Sequence, residues 1–173
     1  MKLVNHNGYW TPQGNEKVWA RYENRAKDMQ VAVDQCRHLR TVVQASGVVG
    51  AWPIWLSHQF TEVITVEPDR ANYVCLERNC EQYKNIESHN ATLGAEVNAA
   101  TERVLTIDGF NLEYCDLIVL DNDGREAAVL QGAQDTIARC KPVIFIRGSE
   151  VELSEYSVYQ RVGRGCVLKP WPL

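Results

Sequence analysis

Three acidic residues follow an apolar run in the second half of the chain, and their chemistry would suit proton transfer. Asp121, Asp123 and Glu126 come after the run LIVL at 117–120. Such a run is typical of a buried strand, so the acids would lie at the edge of a sheet, where open α/β sheets bind ligands. A carboxylate there can act as a general base toward a hydroxyl or an amine. Asp121 has the strongest case because it directly follows the strand, whereas Glu126 fits a first-turn helix acid at least as well.

A second group of candidate residues lies in the first half of the chain. The segment VVQASGVVG at 42–50 joins a predicted strand to a predicted helix, and Gly47 and Gly50 would let its backbone turn sharply and approach a ligand. Glu67 ends the next strand about 20 residues later, a spacing suited to hydrogen bonds with ribose hydroxyls. A turn can need glycine, and a helix can begin with an acid, for purely structural reasons. Together the two features favour a site for a nucleoside-containing cofactor.

Alternating strands and helices would position these residues. The sequence predicts strands at 41–45, 62–66, 86–91, 102–107, 116–120, 143–146 and 166–168. It predicts helices at 15–38, from Trp52, at 70–83, at 126–138 and, more weakly, at 150–162. Residues 1–14 suggest an arm or short strand held by aromatic side chains. This order predicts an α/β fold with a Rossmann-like, doubly wound and mostly parallel sheet that carries helices on both faces.

Length and composition bound the function. The 173 residues fit one domain, with an N-terminal arm and helix at 1–40 and a core at 41–173. The net charge of −4 comes without a long basic run, so no strong nucleic-acid signal is present. No apolar run approaches the ~20 residues that span a bilayer, so we expect no membrane partner. The six cysteines lack the spacing of a metal site, and we expect reduced thiols in a cytoplasmic protein.

Three stretches of the chain carry an ordered series of motifs. They read VVQASGVVGAWPIWLSHQFTEVITVEPDRANYVCLERN, then LTIDG, then DLIVLDNDGREAAVLQGAQDTIARCKPVIFIR. This series resembles the FkbM family of class I S-adenosylmethionine-dependent methyltransferases, over about Val42 to Arg147. The family pattern has an acid-led glycine turn, a Glu-Pro after the second strand, a Thr-Leu/Ile-Asp segment and an acidic loop before the next helix. The resemblance implies a class I methyltransferase fold and S-adenosylmethionine as the cofactor.

The resemblance also implies roles for individual residues. Asp121 and Asp123 would lie beside the methyl-transfer position as the catalytic acids. Asp108 matches a family acid whose duty the sequence does not reveal. The residues implied to bind the cofactor lie at or just after the ends of the first three strands, with Glu67 at the ribose and the last two at the adenine; they are Gln44, Ser46, Gly47, Gly50, Glu67, Asn90 and Ala91.

Four departures from the family pattern keep two hypotheses open. Gln44 replaces the acid of the turn, Ser46 replaces its first glycine, Asp123 is one methylene shorter than the family Glu, and Arg147 reverses the charge of an expected acid. The first hypothesis is an O-directed methyltransferase that acts on a small polyhydroxylated or carbohydrate acceptor. The second is a catalytically inactive methyltransferase-like binding or structural protein. A nicotinamide-dependent dehydrogenase is disfavoured, because the turn lacks a G-x-G-x-x-G.

The segment after Arg147 looks short for the final antiparallel strands of a class I enzyme. This leaves two arrangements open: an exposed site for a large acceptor, or a site that a second subunit completes in a homo-oligomer. Two further residues have only weak cases. His89 fits an exposed polar strand position better than a catalytic one, and Trp52 is the one tryptophan placed to stack on a ligand, since it directly follows the glycine turn.

Overall fold

A seven-stranded mixed sheet forms the centre of the computed structural model, which describes residues 2–23, 25–97, 103–121, 124–148 and 151–171. The strands, in chain order, are β1 Leu3–His6, β2 Tyr9–Pro12, β3 Thr41–Ala45, β4 Glu62–Val66, β5 Ile86–His89, β6 Thr92–Leu93, β7 Val104–Leu105, β8 Leu117–Leu120, β9 Val143–Arg147, β10 Tyr156–Val162 and β11 Gly165–Pro170. The α-helices are α1 Val18–Glu23, α2 Ala26–Val33, α3 Ala51–Ser57, α4 Arg70–Cys80, α5 Glu126–Gln131 and α6 Gln134–Cys140, with a 3₁₀ turn at Asp108–Phe110.

The strand order of the main sheet is β10-β11-β9-β8-β3-β4-β5. Strands β9, β8, β3, β4 and β5 are parallel, and β11 and β10 add two antiparallel strands at one edge. Since β3 pairs with β4 on one side and β8 on the other, the winding of the chain reverses at β3. Such a switch point opens a crevice beyond the carboxyl ends of the strands. The predicted mostly parallel sheet is confirmed.

Different helices cover the two faces of the sheet. On one face Ile118 belongs to a buried cluster with Ile137 of α6, and on the other its neighbour Val119 belongs to a cluster with Met29 of α2 and Leu56 of α3. Neighbouring strand residues face opposite layers because side chains alternate along a strand. The predicted helices on both faces are therefore confirmed.

Two predicted helices are each divided in two. The predicted helix at 15–38 is α1 followed by α2, and the one at 126–138 is α5 followed by α6. At the second break the carbonyl of Gly132 accepts the N–H of Asp108 at 2.9 Å, and a side chain at Gly132 would overlap the carbonyl of Gly94. Close contact between the two backbones thus takes precedence over continuous helical periodicity.

The prediction of a weak helix at 150–162 was wrong, because residues 156–162 form strand β10. Its sequence YSVYQRV is rich in aromatic and β-branched residues, and β11 offers it a partner. The expectation of too little sequence for final antiparallel strands was also wrong, since β10 and β11 supply them. The last predicted strand, at 166–168, lies within β11.

The N-terminal residues form a hairpin, β1 and β2, that packs on α4. The side chain of Asn79 accepts the N–H of Trp10 at 2.8 Å and donates to its carbonyl at 2.9 Å, and Tyr9 stacks on Trp19. The predicted arm held by aromatic residues is confirmed. Across the described ranges, no helix is long and apolar enough to span a membrane.

Candidate functional site

The register of the sheet brings the candidate residues side by side. Ala45 of β3 pairs with Val66 of β4, and Leu120 of β8 pairs with Ile146 of β9. The residues that follow these pairs therefore leave the carboxyl edge of the sheet next to one another; they are Ser46, Glu67, Asp121 and Arg147.

Glu67 presents a carboxylate that is held from two sides. Its Oε2 accepts the N–H of Val48 at 2.8 Å, across the turn that follows β3. Its Oε1 accepts the N–H of Asp69 at 2.9 Å and the side-chain amide of Asn72 at 3.4 Å. The residue is only 4% exposed. Burial raises the pKa of Glu67, and the bonds from Val48 and Asp69 oppose the rise.

The glycine turn at 46–50 is built from left-handed backbone. The φ angles are 64° at Ser46, 49° at Val48 and 100° at Gly50. Val48 is β-branched, and such residues rarely adopt this region, so the turn carries backbone strain. Gly47 has a different reason for being glycine, because a Cβ there would overlap the side chain of Leu76.

The side chain of Gln44 holds the start of this turn by hydrogen bonds to its backbone. Its Nε2 donates to the carbonyls of Ala45 at 2.7 Å and Ser46 at 2.8 Å, and its Oε1 accepts from the Thr65 hydroxyl at 2.6 Å. The side chain is fully buried. The neutral amide that replaces the family acid therefore uses both of its polar atoms inside the protein.

Asp121 and Arg147 form an ion pair at the ends of β8 and β9. Nη1 of Arg147 donates to Oδ2 of Asp121 at 3.4 Å, and the two side chains are 9% and 18% exposed. The charge reversal noted at Arg147 thus has a partner in the predicted catalytic acid. Asp123, the other predicted catalytic acid, lies outside the described residues.

Glu126 is a fully buried acid beside this pair. Its Oε1 accepts the N–H of Gly124 at 3.3 Å, and its Oε2 has no hydrogen-bond partner among the described residues. A Cβ built on Gly148, the residue after Arg147, would lie 3.7 Å from Oε1. Glu126 therefore lies close to the end of β9, although it begins α5.

Tyr22 of α1 lies close to the same edge. Its ring packs edge-on against Trp52 with 5.1 Å between ring centres, and Nε1 of Trp52 donates to the Tyr22 carbonyl. Burial raises the pKa of Tyr22 to about 12, and the charges of Asp121 and Glu67 add to the rise. Trp52 is itself buried beneath this contact. The N-terminal helix thus contributes a side chain that could not be selected from the sequence, where it is only one residue of an apolar helix face.

The residues after β5 support the loop that carries Glu67. Nδ2 of Asn90 donates to the carbonyls of Glu67 at 2.8 Å and Pro68 at 3.1 Å. The N–H of Ala91 donates to the carbonyl of His89 at 3.1 Å. The expected contacts of Asn90 and Ala91 with adenine remain a prediction.

Asp108 has a structural role that the sequence did not reveal. Its carboxylate accepts the N–H of Thr136 at 2.8 Å and the N–H of Asp135 at 3.1 Å, in the first turn of α6. Unpaired N–H groups at a helix start are commonly satisfied in this way. In the part of the chain that the structure describes, no group of three His, Cys, Asp or Glu side chains could hold a metal ion.

A comparison with protein families matches residues 79–162 to the methyltransferase FkbM domain. This segment, just under half of the chain, is similar to that domain. The match runs from the end of α4 to the end of β10, and it includes Asp121, Glu126 and Arg147. The glycine turn and Glu67 precede it. A search of curated proteins finds no match.

Solved methyltransferase structures share the fold of this chain. The methyltransferase FkbM of Methylobacillus flagellatus is 17% identical with a TM-score of 0.55, covering 78% of this chain and 52% of its own. The putative methyltransferase yhhF of Escherichia coli is 12% identical with a TM-score of 0.58, covering 99% of this chain and 100% of its own. An rRNA methylase of Streptococcus thermophilus is 13% identical with a TM-score of 0.58, covering 84% of this chain and 95% of its own. The chain thus spans about half the length of the M. flagellatus protein, and at these identities the likeness shows the fold.

Proposed function

We propose that the chain binds S-adenosylmethionine and transfers its methyl group to an oxygen of a small polyhydroxylated or carbohydrate acceptor. The family and the fold are those of methyltransferase enzymes, and class I members generally use this cofactor. The observation that carries the proposal is the carboxylate of Glu67, buried and held at the carboxyl edge of β4. It stands beside the switch point, where a nucleoside would bind.

Counting acceptor positions tests whether Glu67 suits a ribose. An ionised carboxylate has about four lone-pair positions. Among the described residues, three are used, by the N–H groups of Val48 and Asp69 and by the side chain of Asn72. One position remains for a hydroxyl, and the 3.4 Å bond from Asn72 is the longest and most easily replaced by a second. The residues present therefore fit the two adjacent hydroxyls of a ribose.

The chain's own residues would align the acceptor and receive its proton. The sulfonium of the bound cofactor supplies an already activated methyl group. Asp121 is then the candidate general base among the described residues, because it follows β8 next to the switch point and its pairing with Arg147 fixes its position. We keep Asp123 as the second candidate on the strength of the family resemblance.

Two observations favour the inactive alternative. Val48 and Val49 pack in a cluster with Val18 and Trp19 of the N-terminal helix, so apolar side chains contact the glycine turn directly. Gln44 is also committed to the turn and supplies no charge to a ligand. Apolar packing on the turn and internal hydrogen bonds of Gln44 would suffice for a protein that kept the fold for binding or assembly alone.

Titration calorimetry with S-adenosylmethionine and S-adenosylhomocysteine tests the proposal. Wild type should bind both, and Glu67→Gln should weaken both by about tenfold or more, the loss expected for a charge-assisted hydrogen bond. Glu81→Gln makes the same change at an exposed position and should bind as wild type does. Absence of binding to wild type would refute the enzyme proposal and favour the inactive alternative.

A further inference from the structure

Two buried polar atoms near the ends of β8 and β9 have no hydrogen-bond partner among the described residues. Nε of Arg147 is an unpaired donor and Oε2 of Glu126 is an unpaired acceptor among the described residues, although both side chains are more than nine-tenths buried. A buried polar atom without a partner is unfavourable, so a ligand that supplies the missing hydrogen bonds gains affinity. The two atoms are complementary, since one needs an acceptor and the other a donor.

The guanidinium of Arg147 has a specific preference for its missing partner. It contacts Asp121 through Nη1 at 3.4 Å, so this ion-pair contact is long. The Nε of a guanidinium belongs to a different edge of the planar group from Nη1. That edge matches a carboxylate, which accepts two parallel hydrogen bonds from an arginine. A carboxylate bound at that edge would therefore leave the contact between Nη1 and Asp121 in place.

The position of Arg147 in the sheet indicates which molecule carries the carboxylate. The cofactor residues follow β3 and β4, whereas Arg147 ends β9, with β8 between β9 and β3. Neighbouring strands are about 4.8 Å apart, so Arg147 lies roughly 10 Å across the sheet from the glycine turn. Asp121, the candidate base, stands between the two. An acceptor would thus bind on the side of Arg147, away from the residues proposed for the cofactor.

We propose that the methyl acceptor is a hydroxylated carboxylic acid whose carboxylate binds Arg147 and one of whose hydroxyls donates to Glu126. This proposal rests on the proposed function and names the class of its acceptor. A neutral sugar would leave Nε of Arg147 without an acceptor, and a simple carboxylate would leave Oε2 of Glu126 without a donor.

Calorimetric titration with D-glucuronate and D-glucose, in the presence of saturating S-adenosylhomocysteine, tests the preference. The two sugars share a ring and differ in the carboxylate. Wild type should bind glucuronate at least about tenfold more tightly than glucose, as expected for a charge-assisted pair. Arg147→Gln should abolish this preference. Glu126→Gln should lower the affinity for glucuronate but keep the preference for glucuronate over glucose. Arg164→Gln, the same change at an exposed residue, should leave it intact.

Wild type that fails to bind glucuronate, or binds both sugars equally, would overturn the proposal. Because removing one member of a buried ion pair can unfold a protein, the double variant Asp121→Asn/Arg147→Gln provides a neutral pair at the same positions. The double variant too should lose the preference for glucuronate over glucose. If it kept that preference, Arg147 would not be the group that binds the carboxylate.

A second titration separates the acceptor from the cofactor as the source of the carboxylate. S-adenosylhomocysteine carries an amino acid, whereas 5′-methylthioadenosine has the same nucleoside without it. If Arg147→Gln weakened the first ligand about tenfold and left the second unchanged, the guanidinium would bind the cofactor's own carboxylate, which would overturn the proposal. If wild type bound neither nucleoside, the proposed function would fail. Titrations of glucuronate and glucose in the absence of any nucleoside would then still test whether Arg147 prefers the anion.

Discussion

Replacing Gln44 with an acid should destabilise the protein, although an acid is what the family pattern has at this position. In Gln44→Glu the side chain keeps its length but loses Nε2, which donates to the carbonyls of Ala45 and Ser46 at 2.7 and 2.8 Å. Leaving a buried polar group unsatisfied costs about 1–3 kcal/mol, so the two carbonyls together cost about 2–6 kcal/mol. Because the position is fully buried, solvent cannot replace the lost bonds.

Urea unfolding followed by circular dichroism measures this loss. Total stabilities are about 5–15 kcal/mol, so a change of this size should move the midpoint clearly or unfold the variant. Gln82→Glu introduces the same charge at an exposed position and should change the free energy of unfolding by less than about 0.5 kcal/mol. If Gln44→Glu were as stable as wild type and bound S-adenosylmethionine more tightly, Gln44 would face the ligand, and our account of the turn would be wrong.

Three further predictions concern other parts of the fold. Asp108→Ala removes acceptors from two N–H groups of α6 and should lower the free energy of unfolding by about 1 kcal/mol, measured by urea unfolding; an unchanged midpoint would contradict the capping role. Asn79→Ala should release the N-terminal hairpin, seen as faster amide hydrogen exchange at Trp10, whereas unchanged exchange would show that its aromatic contacts suffice. Burial raises the pKa values of Cys36 and Cys80 to about 12, so the folded state holds protons that the unfolded state releases above pH 9. Stability should therefore fall as pH rises from about 9 to 12, and the double Cys→Ala variant should show a shallower fall.

The main features of the fold could be predicted from the sequence because they depend on local patterns. Apolar runs such as LIVL at 117–120 mark buried parallel strands, and the alternation of strands with helices specifies a doubly wound sheet. The prediction at 150–162 failed for a physical reason. A segment of mixed polarity has no strong period of its own, and β10 is a strand because β11 is available to pair with it.

The candidate site was only partly accessible to the same reasoning. Glu67 and Asp121 could be placed at the carboxyl edge of the sheet, since any residue that follows a parallel strand lies there. The commitment of Gln44 to the turn could not be foreseen, because it depends on the direction of one side chain and on Thr65 of the next strand. That Tyr22 lies close to the carboxyl edge of the sheet depends on how α1 packs against α3. Helix α1 is more than a hundred residues from β9 in the chain.

By itself, the sequence determined the fold class, the family resemblance and the edge at which chemistry would occur, because each is written in the order and spacing of residues along the chain. The tertiary structure alone decided which polar groups are already satisfied. Asp121 meets Arg147, Gln44 meets backbone carbonyls, and Glu126 keeps an oxygen without a partner among the described residues. The reason is that hydrogen bonds and ion pairs act over a few ångströms, and only the folded chain brings residues distant in sequence within that range.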